Sequence, residues 1–250
     1  MNAVVSTITQ LLPAEIITTD PEQITLYSQD VFTVGPPICA VVRPRNIDEV
    51  QALVRACLER GTPIVTRGGG MSYTSGYIAS APDSVLIDMA SMDAIVEVNL
   101  EDRYVTVEAG CSWQKLYEHL APLGVRTAYW GTLSGRYATI GGGLSQNSIF
   151  WGSGQSGTAA DNVLSVSVVT GKGDLLETGS AAQQHAAPFT RHFGPDLTGV
   201  FLGDCGALGV KVRATLPLVP LAGAKDYTSF AFEESGPMLR AMAQISRESL

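Results

Sequence analysis

Apolar residues recur at helical spacing at Val4, Val5, Ile8, Leu11 and Leu12 and then meet Pro13, which predicts a short amphipathic helix at the start of the chain. Glu15 to Pro37 is irregular, apart from a short helix opened by Thr18, Thr19, Asp20 and Pro21. Ile38 to Val42 is a continuous apolar run closed by Arg43 and Pro44, the pattern of a buried strand. A well-marked helix follows. Asn46 caps its start, Glu49 three residues on completes a capping box, and Ile47, Val50, Leu53, Val54, Cys57 and Leu58 form one stripe before Gly61 supplies the stop. Pro63, Ile64 and Val65 then end a second buried strand. Strand, helix and strand make a βαβ unit, whose strands are parallel and whose crossover is right-handed.

From Val85 the pattern changes. Val85 to Asp88 is a further strand, and Ile95 to Val98 and Tyr104 to Glu108 flank a turn at Leu100 to Arg103, which predicts a hairpin. Trp113, Leu116, Tyr117 and Leu120 make an amphipathic helix, with His119 off its stripe. Val163 to Val169 and Leu175 to Thr178 bracket Gly171 to Asp174 as a second hairpin, and Val210 to Leu218 is a last strand before Pro220. The pattern divides residues 1–220 into a βαβ lobe at about 25–90 and a mainly antiparallel lobe at about 91–220, with a cleft between them. Residues 221–250 open a new unit: Tyr227 to Phe232 alternates like a strand, and Met238, Leu239, Met242 and Ile245 begin a helix that reaches Leu250.

Composition narrows the chemistry. At 250 residues, with 45% hydrophobic and 16% charged positions, the chain is globular and long enough to bury a core. Its net charge of −8 argues against nucleic acid or an anionic membrane as the main partner, so a bound phosphate must be held mostly by backbone dipoles. Cys39, Cys57, Cys111 and Cys205 are far apart, with neither CxxC nor zinc spacing, so no metal site is expected and a reduced, cytoplasmic setting is. Residues 1–20 show no signal-peptide pattern, and no window approaches the ~18 apolar residues of a membrane span.

Two glycine clusters carry the candidate chemistry. In PIVTRGGGMSYTSGY, from Pro63 to Tyr77, the glycines follow a parallel strand at its carboxyl end, where open α/β sheets bind ligands. Gly68, Gly69 and Gly70 free the backbone for φ > 0 and close approach, so their N–H groups can form a nest for phosphate oxygens. Thr66, Ser72, Thr74 and Ser75 add hydroxyl donors, and Arg67 is the fixed positive charge. A tight turn that binds nothing is the alternative for either cluster alone. The second cluster, ATIGGGLSQNSIFWGSGQSGTAADN, carries Gly141 to Gly143 and then a literal GxGxxG at Gly152 to Gly157. A dinucleotide fingerprint needs a helix starting at that loop, yet only a few residues separate Gly157 from the β-type run LSVSVVTG. A Walker loop is excluded at Gly171 and Lys172 by the missing upstream glycine and following Ser/Thr. Two glycine-rich loops, one per lobe, closing on one long ligand account for the pattern.

RGGGMS, TIGGGLS, TAADNVLSVSVVTGKG and FLGDCGALGVKVRATLPLVP, in that order over roughly residues 25–220, resemble the FAD-binding domain of the vanillyl-alcohol oxidase and p-cresol methylhydroxylase superfamily, in its glycolate oxidase and D-lactate dehydrogenase branch. The resemblance implies an α+β fold of two α/β lobes and an FAD-dependent oxidoreductase acting on a small hydroxy acid or alcohol. It places Arg67, Gly68, Gly69, Gly70, Met71 and Ser72 on the FAD pyrophosphate with Gly76 and Tyr77 nearby. It puts Leu133, Ser134, Thr139, Gly142, Ser145 and Ile149 against the flavin and its phosphates, and Gly206 and Val210 near the cofactor through their backbone. Some relatives have a flavin-linked histidine where this chain has Met71, others a cysteinyl link before the second cluster, and this chain has no cysteine between Cys111 and Cys205; noncovalent FAD follows. The family's Gly-Ser-Glu-Gly is Gly203-Asp204-Cys205-Gly206 here, so a side-chain role at Cys205 does not carry over. Tyr73, Tyr77, Trp130 and Trp151 are candidates for stacking on the flavin ring or for core packing. His185 and His192 lie in a polar loop, and no residue is assigned as catalytic. Members continue into a second, substrate-covering domain, so a missing C-terminal domain or a second subunit is expected to complete the site. The alternatives are a non-catalytic flavin-binding module or subunit, a nucleotide-sugar reductase-like flavoprotein, and an α/β protein without a cofactor.

Overall fold

In a computed structural model, which describes residues 2–129, 131–132, 134–150, 152–224 and 226–248, the first helix, α1 (Ala3–Leu11), begins where the Asn2 side chain accepts from the Val4 N–H. It buries Val4, Val5 and Ile8, and Leu12 continues that line, while Leu11 faces solvent. β1 (Ile17–Thr18) and α2 (Pro21–Tyr27) follow, the latter capped by Asp20 with Pro21 at its first turn. β2 (Ala40–Val42) is fully buried and leads into α3 (Ile47–Glu59). Asn46 Oδ1 accepts from the Glu49 N–H at 2.9 Å, and the Glu49 carboxylate accepts from the Arg45 N–H at 2.7 Å, one residue earlier than a capping box requires. At the other end the Gly61 N–H reaches the Leu58 carbonyl and the Thr62 N–H the Cys57 carbonyl, a Schellman closure around Gly61 at φ +61°. Leu58, expected on the apolar stripe, is 57% exposed: about 100° beyond Cys57, it sits at the edge of the stripe.

β3 (Ile64–Arg67) and β4 (Val85–Asp88) complete a four-stranded sheet of order β1-β2-β4-β3. β2 and β3 point the same way, as the strand-helix-strand pattern implies, but they are not neighbours. β4 lies between them, with Val41 and Val65 both opposite Leu86. Its continuous apolar run is buried throughout, which suits the middle of a parallel sheet, while the antiparallel β1 edges it on the far side of β2. α1 and β1 therefore extend this layer back beyond residue 25.

The second sheet is antiparallel. It comprises β5 (Ile95–Asn99), β6 (Tyr104–Glu108), β8 (Ser165–Val169), β9 (Leu175–Glu177) and β10 (Val210–Pro220) in the order β5-β6-β10-β8-β9, and β7 (Val125–Thr127) pairs with the far end of β10. Both expected hairpins form. α4 (Trp113–Leu120), α5 (Ile140–Ser145), α6 (Ser153–Ser156) and α7 (Leu197–Val200) complete this lobe. Two contacts lock the lobes together. Val169, Val210 and Val212 of the second sheet join the apolar cluster of α1, α3 and the first sheet. Gln51 Nε2 and Arg55 Nη2 of α3 both donate to the Gly173 carbonyl at the β8–β9 turn, each at 2.8 Å.

α8 (Ser235–Arg247) forms where the periodicity placed a helix, although none of its residues is buried; Ser249 and Leu250 lie outside the described residues. The strand expected at Tyr227–Phe232 does not form. Tyr227 is 86% exposed and no strand among the described residues pairs with this segment, so the alternation has no sheet to satisfy.

The two leucines of α3 test its orientation. Leu53→Ala, at a fully buried site, should lower the unfolding free energy by about 2–5 kcal/mol, whereas Leu58→Ala should stay within about 0.5 kcal/mol, measured by urea unfolding of each variant.

Candidate functional site

The RGGG segment leaves β3 at Arg67, at the carboxyl end of the three parallel strands. The other lobe meets it directly. A Cβ on Gly69 would overlap the Tyr137 carbonyl oxygen, and one on Gly68 would overlap the Thr139 hydroxyl. Only glycine lets main chain from the two lobes approach this closely. Gly70 adopts φ +67°, and its missing side chain makes room for the Arg67 guanidinium. Beyond the glycines, the Ser72 and Thr74 hydroxyls are 3.0 Å apart and Thr74 Oγ1 donates to Gln146 Oε1 at 3.3 Å, so a polar chain crosses the cleft.

The second glycine cluster is a helix rather than a loop, a correction to the expected pair of loops. Thr139 caps α5 by accepting from the Gly142 N–H at 3.2 Å, while Ile140 and Leu144 anchor it in the core. The three glycines have different duties. All three line the cavity, but a Cβ on Gly141 would crowd Ala109, one on Gly143 would crowd the Trp113 indole, and one on Gly142 would meet the Thr139 hydroxyl. Helix geometry is retained because α5 can lie close against the end of β6 and the start of α4.

The last sequence motif closes the site. The Gly203 N–H donates to the Leu144 carbonyl and the Cys205 N–H to the Ser145 carbonyl, both at 2.9 Å. The Asp204 side chain is buried and organises the turn, accepting from the Gly206 N–H at 3.0 Å, the Leu208 N–H at 3.3 Å and Lys211 Nζ at 2.5 Å. Burial draws the Lys211 ammonium below the ordinary lysine range, against the opposing pull of Asp204. Cys205, at φ +52°, is exposed, whereas burial pushes the Cys57 thiol up to about 12 and the Cys111 thiol to about 11.

These segments enclose a cavity of about 390 Å³, within the usual range for small-molecule and cofactor sites. Arg67, Gly68, Gly69, Gly70, Met71, Ser72, Gly76, Tyr77, Ser134, Thr139, Gly142, Ser145, Ile149 and Val210 all line it. Gly206 does not, although Cys205 and Gly209 beside it do; its N–H is spent on Asp204. Leu133, Trp130 and Trp151 lie outside the described residues. Tyr73 lines the cavity but is 60% exposed, and Tyr77 is buried with its hydroxyl donating to the Gly70 carbonyl at 2.9 Å. His119, His185 and His192 are exposed and none lines the cavity. Sequence reasoning missed Lys211 and Gln146. Lys211 turns inward at a β-bulge between Lys211 and Arg213, and a bulge leaves no mark on the alternation V-K-V-R. Among the described residues two cations line the cavity: Lys211 is neutralised by Asp204, and Arg67 has no carboxylate partner.

The family model described as an FAD binding domain matches residues 38–179, a span that contains both glycine clusters. The chain belongs to this family. Its cofactor is FAD. Among curated proteins, this FAD binding domain is 35% identical over 178 residues to a mitochondrial D-lactate dehydrogenase [cytochrome] of Arabidopsis thaliana, covering 71% of this chain and 30% of that protein. It is 31% identical over 206 residues to glycolate oxidase subunit GlcD of Bacillus subtilis, covering 82% and 42%. The chain therefore spans less than half the length of these relatives. A solved structure of p-cresol methylhydroxylase with substrate bound superposes with a TM-score of 0.77 at 21% identity, over 89% of this chain and 44% of that one, which establishes a shared fold. Among the described residues, no helix is long and apolar enough to cross a membrane.

Two experiments probe this geometry. Gly69→Ala should cost at least tenfold in flavin retention on gel filtration, while Gly154→Ala, whose Cβ would meet nothing within 4 Å, should keep it. Iodoacetamide at pH 8 should label Cys205 ahead of Cys57 and Cys111, and added FAD should slow that labelling, as followed by peptide mass spectrometry.

Proposed function

We propose that this chain is the flavin domain of an FAD-dependent oxidoreductase that oxidises a small hydroxy acid or alcohol, with the cofactor bound noncovalently. The observation that carries it is the contact of Gly68 and Gly69 with Tyr137 and Thr139, at the start of the second glycine cluster, across one cavity, beside an Arg67 whose buried Nε has no hydrogen-bond partner among the described residues. That combination fits a diphosphate in a protein of net charge −8: main-chain amides supply the donors, and the unneutralised Arg67 supplies positive charge. In this reading the residues from Arg67 to Ser72, with Gly76 and Tyr77, hold the pyrophosphate. Ser134, Thr139, Gly142, Ser145 and Ile149 face the flavin and its phosphates, and Val210 contributes through its backbone. Met71 lines the cavity with a thioether, which cannot make the bond that a histidine makes there in some relatives, and this supports noncovalent attachment. When bound, FAD supplies the two-electron chemistry by accepting a hydride.

The substrate's hydroxyl proton needs a base, and none of the three histidines lies at the cavity. We therefore assign residues 1–220 to the flavin domain and 221–250 to the opening of a substrate-covering unit. The base and the carboxylate-binding cation come from that unit or from a second subunit. The same observation favours a second reading, a flavin-binding module or subunit without catalysis of its own. A reducing, cytoplasmic setting is part of the proposal, supported by four free cysteines.

The purified chain should be yellow, with its flavin in the supernatant after acid precipitation. A yellow pellet would overturn noncovalent attachment, and a colourless preparation that stays so with added FAD would overturn the cofactor site. Anaerobic bleaching by a member of a panel of 2-hydroxy acids would support the oxidoreductase; bound flavin that none of them bleaches would support the module.

A further inference from the structure

Among the described residues, Arg67 is the cavity cation without a carboxylate partner, yet a carboxylate stands beside it. In the β3–β4 register Arg67 is opposite Asp88, and register partners on adjacent strands project from the same face. The ion pair they could make is not made. Asp88 is buried and already engaged on both oxygens: Oδ2 accepts from the Tyr27 hydroxyl at 2.9 Å and from Arg43 Nε at 3.1 Å, and Oδ1 accepts from the Ala90 N–H at 3.2 Å. Arg43 Nη2 also donates to the Tyr27 hydroxyl at 2.6 Å, which closes a three-membered network. Neither Tyr27 nor Arg43 lines the cavity.

Denied that carboxylate, the Arg67 guanidinium is held by ring faces. Its central carbon lies 4.5 Å from the Tyr27 ring centroid and 5.4 Å from that of Tyr77. Both rings are pinned through their hydroxyls, Tyr27 by Asp88 and Arg43, and Tyr77 by the Gly70 carbonyl. Gly70 forms the third wall, since a Cβ there would overlap the guanidinium. Ring faces hold a cation without consuming its N–H donors, so Arg67 is fixed in position with donors unspent.

We propose, resting on the assignment of FAD and of Arg67 to its diphosphate, that Tyr27, Arg43 and Asp88 are positioning residues for cofactor binding: Arg43 and the Tyr27 hydroxyl saturate Asp88 and so keep Arg67 out of an internal ion pair. Removal of Arg43 frees Asp88 to capture its register partner, and the guanidinium is lost to the ligand although nothing in the cavity has been altered.

The test titrates the full-length apo-protein with FAD and with riboflavin, read by flavin fluorescence, and with ADP by competition. Arg67→Met should weaken FAD and ADP and leave riboflavin unchanged; no effect on FAD would remove the assignment on which the proposal rests. Arg43→Met should weaken FAD and ADP by about tenfold, the scale of one redirected charge-assisted hydrogen bond, again with riboflavin unchanged. Arg43→Met combined with Asp88→Asn should restore most of that loss, since the carboxylate that captures Arg67 is gone. Arg43→Lys, which keeps a cation at Asp88, should stay near the parent, and Tyr27→Leu should lose about 2- to 30-fold by removing a ring face. If Arg67→Met weakens binding but Arg43→Met does not, or if Arg43→Met lowers FAD and riboflavin together with the melting temperature, the positioning role is overturned. Where the double variant does not fold, a loss of affinity in Arg43→Lys equal to that in Arg43→Met overturns it as well.

Discussion

The site depends on a contact that leaves no room for a side chain: main chain from Gly68 and Gly69 lies directly against Tyr137 and Thr139 of the opposite lobe. Everything that makes the cleft a binding site follows from that closeness. With the two backbones this near, the glycine backbone that follows β3 faces a space closed by the second lobe, and a protein of net charge −8 can hold a polyanion there beside Arg67, which has no carboxylate partner among the described residues. A methyl group at either glycine would push the lobes apart and open the cavity to water.

Rigid packing elsewhere sustains this contact. Val169, Val210 and Val212 enter the core of the first lobe, and Gln51 and Arg55 grip the Gly173 carbonyl, so the lobes are joined by apolar burial, one neutral hydrogen bond and one charge-assisted hydrogen bond at a distance from the cavity. Asp204 does similar work at the rim. By taking two backbone N–H groups and the Lys211 ammonium, it shapes the turn that ties the start of β10 to α5 and withdraws a cavity cation from service. Charge at the site is set as much by which cations are already paired as by which are present.

Much of the fold was legible along the chain because it rests on local rules. The cap at Asn46, the stop at Gly61, both hairpins and the stripe of α4 are decided within a few residues, and each formed as its sequence implied. Misreadings occurred where a distant partner decides. Leu11 and Leu58 sit at the edges of apolar stripes, and only the width of the surface beneath each helix determines that they stay exposed. Tyr227 to Phe232 alternates well but has no sheet to join, and Gly141 to Gly143 reads as a loop until the cap at Thr139 and the neighbours Ala109 and Trp113 explain why a glycine helix fits there.

The sequence by itself implied that two glycine clusters, an arginine at a strand end and a low density of positive charge belong to one ligand-binding plan, because composition and short-range turn chemistry are written in consecutive residues. Only the tertiary structure decided that β4 enters between β2 and β3, and that this insertion sets Asp88 beside Arg67. It also decided that a bulge turns Lys211 inward onto Asp204. Strand order and register depend on pairings between segments far apart in the chain, and those pairings determine which of several chemically similar charges remains free to meet a ligand.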